Sequence, residues 1–509
     1  MKLCEVSLDT VRLTHGYLTF DATATTFESL VAYLDQPIEK SADRDIFMTR
    51  ALLYWLKCNS KVQEKDYPQD SPQGLACKMF SEKLAFADGF SRMCKEANID
   101  CRVVLGISKT GDYKPGDLTV DKGRMQSRWN KLFLNGQWWP VNPRYILHNR
   151  ERGLIKEFWF LTDPELFVQY CLPDDPEDQM LPKSKRINSE RAFMKLPFLS
   201  HRFHELNMRL TSEDQCIIET VNGCSKISFK IPRKLAKDFE CEIDSAHLSN
   251  VLDLKGNKSD AITKAFAGIK IDKLIFSSRK KGHFIFELRC PVEMASYNLT
   301  IEGGKIDERK TTLVKTRIVC REKMKNFKEF PDNKGSLGWG FGPRAHAAGL
   351  LSTTKFEPKL LIQDNHLELK FGVEKRAKKE YRAELSRENI STDLTGFVQS
   401  HLDTVNNKFI VKVLKPPVSG EYALTVFVVD GVKQKGTPVC QYLVTTLLDL
   451  EKLEDEYYDS SDGTSDVDEE INKLEDEVAK LTAQRDKLKK QLQTSEQRVV
   501  NFDQKHVVF

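Results

Sequence analysis

The chain has 509 residues, 40% hydrophobic and 30% charged, with a formal net charge of +4. This length predicts several domains with enough apolar residues for their cores, and the near-balanced charge argues against a nucleic-acid partner. No apolar run is long enough to span a membrane, and Met1-Lys2-Leu3-Cys4-Glu5 turns polar too early for a secretory signal, so the expected location is the cytoplasm.

Phe27, Leu30, Val31 and Leu34 recur at helical spacing behind threonines that can cap a helix start. Phe47, Ala51, Tyr54 and Trp55 make a second apolar helix face. Phe90, Met93, Cys94 and Ala97 make a third, stopped near Asn98. Cys101 to Leu105 reads as a strand. Trp129 to Leu134 and Trp138 to Val141 read as two more, joined by Asn135-Gly136, a dipeptide suited to the left-handed backbone of a tight hairpin. Helices first and antiparallel strands afterwards predict an α+β domain.

From about residue 207 to 447 the pattern repeats at the scale of one small domain. Ile227 to Ile231 parallels Leu367 to Phe371, and Tyr297 to Ile301 parallels Tyr422 to Val426, all alternating as half-buried strands do. Ser419-Gly420-Glu421-Tyr422 resembles the tyrosine corner of immunoglobulin-like sandwiches, with Leu424 where an antibody domain has its second cysteine. Asp430-Gly431 suits a hairpin into the last strand, and the glycine-rich run Gly335 to Pro343 is the expected junction of two modules. Arg279-Lys280-Lys281 and Lys375 to Lys379 flank strands and read as solvated edges.

The tail is different. Residues 451–466 are acidic and serine-rich, a disordered linker by composition. Val467, Ile471, Leu474, Val478, Leu481, Arg485, Leu488 and Leu492 then follow alternating three- and four-residue steps, the seam of a coiled coil. A lone amphipathic helix folded onto the body is the alternative. The narrow apolar face and the Glu, Lys and Gln beside it favour a homodimer, and the acidic start and basic continuation favour an antiparallel pair. Twelve cysteines are scattered without any Cys-x-x-Cys spacing and read as free thiols in a reducing compartment. No acidic loop has metal-ligand spacing, so neither metal nor cofactor is expected.

Three segments carry a family resemblance: Phe86-Ala87-Asp88-Gly89-Phe90-Ser91, Ser127-Arg128-Trp129-Asn130 and Val141-Asn142-Pro143. With Met48 to Leu56, Met93 to Gly106, Phe158 to Glu165 and Ser189 to Pro197 around them, they resemble the kyphoscoliosis-peptidase and hillarin branch of the transglutaminase-like fold. That family reads Cys-x-Gly-Tyr at a helix start, His-Ala-Trp-Asn on a strand and Val-Asp near the end of the next. The resemblance puts the nucleophile position on Ala87, the base on Ser127 and the orienting acid on Asn142. Alanine has no lone pair to attack with, a serine hydroxyl stays neutral near pH 7, and asparagine carries no charge to steady an imidazolium. Gly89, Phe90, Trp129 and Trp138 would remain as a vestigial cleft.

The resemblance implies a transglutaminase-like (papain-like) domain over 1–206, its core about 25–175. Immunoglobulin-like modules over 207–330 and 331–450, the acidic linker and a coiled coil over 467–500 would follow. It implies a catalytically inactive cytoplasmic scaffold or adaptor with protein partners of the cytoskeletal kind. The rival is a working cysteine peptidase or transglutaminase with displaced residues. Cys94 on an apolar helix face and Cys101 at a strand start suit inert packing instead, Cys77 lacks the following Gly-aromatic pair, and His148 follows the third strand rather than lying on the second.

Overall fold

The computed structural model describes residues 26–446, except 62–66, 110–112, 117–119, 149–154, 213–214, 233–234, 236–240, 281, 307, 335–336, 354–356, 375–378, 389 and 430–435. The acidic linker, the seam from Val467 to Leu492 and the Asp430-Gly431 turn lie outside the described residues.

Helix α1 (Phe27–Asp35) starts at a capping box: Ser29 N donates to Thr26 Oγ1 at 3.2 Å, and Thr26 N donates to Ser29 Oγ at 3.3 Å. Helix α2 (Arg44–Cys58) runs through the middle of the domain with Met48, Leu52, Leu53 and Leu56 buried. α3 (Pro72–Phe80) is capped by Ser71, and α4 (Phe86–Glu96) stops before Asn98, which takes the left-handed backbone at φ 58°. Strand β1 (Cys101–Ser108) pairs antiparallel with β2 (Gln126–Leu134). Asn135 and Gly136, at φ 50° and 82°, turn β2 into β3 (Gln137–Val141). A short helix α5 (Pro143–Leu147) follows, and β4 (Cys171–Pro173) completes the order β3-β2-β1-β4.

Two β-sandwiches come next. The first pairs β6 (Arg209–Leu210), β8 (Cys224–Lys230), β10 (Ile275–Lys280) and β11 (His283–Arg289) in the order β10-β11-β8-β6. Facing it are β5 (Phe198–Leu199), β13 (Thr311–Cys320), β12 (Ala295–Lys305) and β9 (Cys241–Asp253), in that order. β7 (Ile217–Glu219) pairs parallel to β13. Phe229, Phe284 and Phe286 of one sheet pack with Tyr297, Leu299 and Ile318 of the other.

The second sandwich repeats this wiring. Its sheets are β14 (Leu350–Thr353), β16 (His366–Val373), β19 (Lys408–Leu414) and β18 (Val398–Asp403), against β15 (Lys359–Leu361), β21 (Gly436–Thr445), β20 (Glu421–Val429) and β17 (Glu380–Ser386). β15 again lies parallel to the last strand. The Ile227–Ile231 and Leu367–Phe371 repeats fall on β8 and β16, and the tyrosine repeats on β12 and β20. The Tyr422 hydroxyl donates to Val418 O, closing a tyrosine corner, whereas the buried Tyr297 hydroxyl of the first module has no hydrogen-bond partner among the described residues.

Two expectations change. β5 precedes residue 207, yet it hydrogen-bonds β13, so the first sandwich draws its edge from the preceding domain's extension. The cysteines are not all free: Cys290 and Cys320 are joined, because β11 ends and β13 ends side by side in one core. Cys58, Cys94 and Cys171 are among the thiols outside any disulfide. Among the described residues no helix is long and apolar enough to cross a membrane.

The sandwiches meet through the connector 321–343. Phe330 and Trp339 pack with Phe276 of the first module and with Ala423 and Leu443 of the second. Arg289 of β11 forms a bidentate pair with Glu421 of β20 at 2.6 and 2.7 Å, each side chain 8% exposed.

Candidate functional site

α4 begins at Phe86, so Ala87 occupies its first turn with its methyl 1% exposed. β2 grips that turn twice: Asn130 Nδ2 donates to Ala87 O at 3.0 Å, and Arg128 Nη1 reaches Asp88 Oδ2 at 3.0 Å. Asn130 Nδ2 also lies 3.3 Å from Cys101 Sγ. Ser127 sits on the same strand, half-buried and opposite Gly106 of β1. Asn142 follows β3 directly and is 1% exposed.

The Asn142 side chain already has two uses. Its Oδ1 accepts from Tyr145 N at 3.2 Å, capping α5 ahead of the proline at the first helical position, and its Nδ2 points at Cys171 Sγ at 3.8 Å. Burial pushes the Cys171 thiol up, against the smaller opposing effect of Asn142, and pushes the Tyr145 phenol up to about 12. The three positions thus lie on a helix start, the neighbouring strand and the end of the strand after it. They offer a methyl, a hydroxyl and a carboxamide.

Gly89, Phe90 and Trp129 are buried in the domain core, and Trp138 is half-exposed. A Cβ on Gly89 would meet Met79 Sδ at 2.3 Å, so this glycine allows α3 and α4 to approach closely. Trp138 is covered by cations, with the Arg102 guanidinium 4.7 Å and Lys131 Nζ 4.9 Å from its ring. Cys94 is fully buried, and burial, followed by its contact with Cys101, holds its thiol well above the usual range. Cys77 is buried on α3, and His148 is exposed just past α5. A cleft of about 290 Å³ opens elsewhere, between the first sandwich and the connector, lined by Ile243, Phe284, Phe286, Trp339, Phe341 and Arg344 among others.

Sequence reasoning missed Lys109, which follows β1 and is buried. Its Nζ donates to Leu196 O at 3.1 Å and lies 4.7 Å from the Phe193 ring, and burial pulls it down to about 7. Asn130 was visible as part of the strand motif, but its hold on Ala87 O needed the fold. Among the described residues no group of three or more His, Cys, Asp or Glu side chains is arranged to hold a metal.

Residues 32–143 match the transglutaminase-like superfamily, and residues 190–331 match the KY-like, immunoglobulin-like domain. The chain therefore carries a transglutaminase-like domain followed by a KY-like immunoglobulin-like domain. Lim and transglutaminase domain protein ltd-1 of Caenorhabditis elegans is 22% identical over 448 residues, covering 81% of this chain and 58% of that protein. Human kyphoscoliosis peptidase is 27% identical over 228 residues, 40% of this chain and 34% of its own length. Hillarin of Drosophila melanogaster is 22% identical over 413 residues, 75% of this chain and 48% of its own. The chain is similar to the kyphoscoliosis-peptidase and hillarin branch, and it spans between about a third and three-fifths of the length of these relatives.

Proposed function

We propose that this protein is a catalytically inactive member of its branch, acting as a cytoplasmic scaffold or adaptor for cytoskeletal protein partners. The observation that carries the reading is the side-chain set at Ala87, Ser127 and Asn142. Nucleophile and base of such a site act as a unit, so their joint loss leaves little beyond binding. The packing supports it: Asn142 is committed to a helix cap and to Cys171, and Cys94 has a thiol held protonated by burial.

What remains is suited to display, with three folded modules and a heptad pattern from Val467 to Leu492 that supplies self-association as a dimer. The purified chain should show no labelling by a thiol-directed active-site probe and no turnover of peptide or glutamine-donor substrates. Turnover that disappears in Cys77→Ala or Cys94→Ala would overturn the inactive reading. Light scattering should give a dimer that becomes a monomer when residues 465–509 are removed; equal mass for both would remove the coiled coil from the proposal.

A further inference from the structure

Cys290 follows the last residue of β11, and Cys320 closes β13. Both are fully buried, and their Cα atoms lie 6.3 Å apart, within the reach of a disulfide. What this bond joins matters more than that it exists. On one side stands Arg289, the residue that pairs with Glu421 across the joint, donates to Lys328 O at 3.1 Å and lies 3.7 Å from the Phe330 ring. On the other side the chain leaves Cys320 as the connector. Met324 N donates to Cys290 O at 2.8 Å, Phe330 N to Lys273 O at 3.0 Å and Trp339 N to Ser277 O at 2.7 Å.

We propose that Cys290–Cys320 is a reversible redox clamp on the joint between the two sandwiches, set by a small thiol–disulfide couple of the glutathione type. With the bond made, the connector leaves from a point covalently fixed beside Arg289, and Phe330 and Trp339 enter the joint from a defined root. With the bond broken, noncovalent contacts such as the Met324 N hydrogen bond and the Arg321–Glu219 pair hold this root. Both sulfurs are covered, so a small thiol reaches them only when the root of the connector lifts. Clamp and joint are therefore thermodynamically linked: whatever holds the joint closed slows reduction, and reduction loosens the joint.

The exchange balances. One protein thiolate attacks glutathione disulfide, forming a mixed disulfide and expelling one glutathione thiolate. The second cysteine then displaces the other glutathione. Two protein thiols are oxidised, two glutathione thiols are formed, and they carry away the two protons. Cys224, half-buried and opposite Arg289 on β8, is the competing thiol that would betray a mispaired bond.

The test holds the full chain in glutathione buffers from fully reduced to fully oxidised, with acid quench, alkylation and mass spectrometry of each cysteine. Limited trypsin digestion then reads the lysines of the connector, Lys323, Lys325 and Lys328. Cys290 and Cys320 should become protected from alkylation together as the oxidised fraction rises. Connector cleavage should rise on reduction, because the root of the connector at Cys320 then loses its covalent tie to the residue beside Arg289. The Cys290→Ala/Cys320→Ala variant should be cleaved at the reduced rate in every buffer. Independent alkylation of the two cysteines, a Cys224–Cys290 pairing, or cleavage indifferent to the buffer would each overturn the proposal. Should the double variant fail to fold, the wild-type comparison between buffers decides alone.

Discussion

Replacing Glu421 with alanine should strongly destabilise the joint between the sandwiches. Glu421 and Arg289 are each 8% exposed, and two short charge-assisted hydrogen bonds join them at 2.6 and 2.7 Å. In Glu421→Ala the guanidinium keeps Lys328 O and the face of Phe330 but loses its counter-charge in a place water scarcely reaches. Removing one partner of a buried ion pair costs about 3–5 kcal/mol, most of it for the charge left behind. Hydrogen exchange is the suitable assay, because a chain of several domains has no single unfolding transition. Amides of β11 and β20 should exchange faster by roughly two to four orders of magnitude, while those of α2 stay unchanged. Replacing both partners, as Arg289→Met with Glu421→Leu, should recover most of the loss. Breaking the exposed Arg321–Glu219 pair with Glu219→Ala should change nothing measurable. Equal protection in wild type and Glu421→Ala, or a double variant as weak as the single, would refute the reasoning.

Asn142→Ala should cost about 1 kcal/mol through the lost cap on α5, while Asn142→Asp keeps it; thermal melts of the two variants check this. Tyr422→Phe should lose about 1 kcal/mol with its corner hydrogen bond, whereas Tyr297→Phe should be neutral or slightly stabilising, as urea titrations would show. Lys109 gives a pH dependence whose sign follows from its lowered pKa. Folded, it titrates at about 7, and its ordinary value is 10.5, so between these the unfolded chain binds the extra proton and stability rises with pH. Denaturation across that window should show the rise in wild type and a flatter profile in Lys109→Met.

Much of the local structure was legible in the residues themselves. The apolar spacing of Leu30 and Leu34 behind Thr26, the Asn135-Gly136 turn and the tyrosine corner at Tyr422 depend on neighbours a few positions apart. The module repeat was legible too, because β8 and β16 must both alternate to bury one face. Asn142-Pro143 even carries a helix-start signal, overlooked because the family motif assigned Asn142 an acid's place.

Sequence alone determined which chemical groups stand at Ala87, Ser127 and Asn142, since side-chain identity needs no fold. Only the tertiary structure decided what holds those positions and how the modules are joined. Asn130 meets Ala87 O across 43 positions, Arg289 meets Glu421 across 132, and Cys290 meets Cys320 across 30. Each meeting depends on the register of whole strands and on which edges a sandwich leaves open, and these are set by the summed burial of many residues. No short stretch of the chain encodes them.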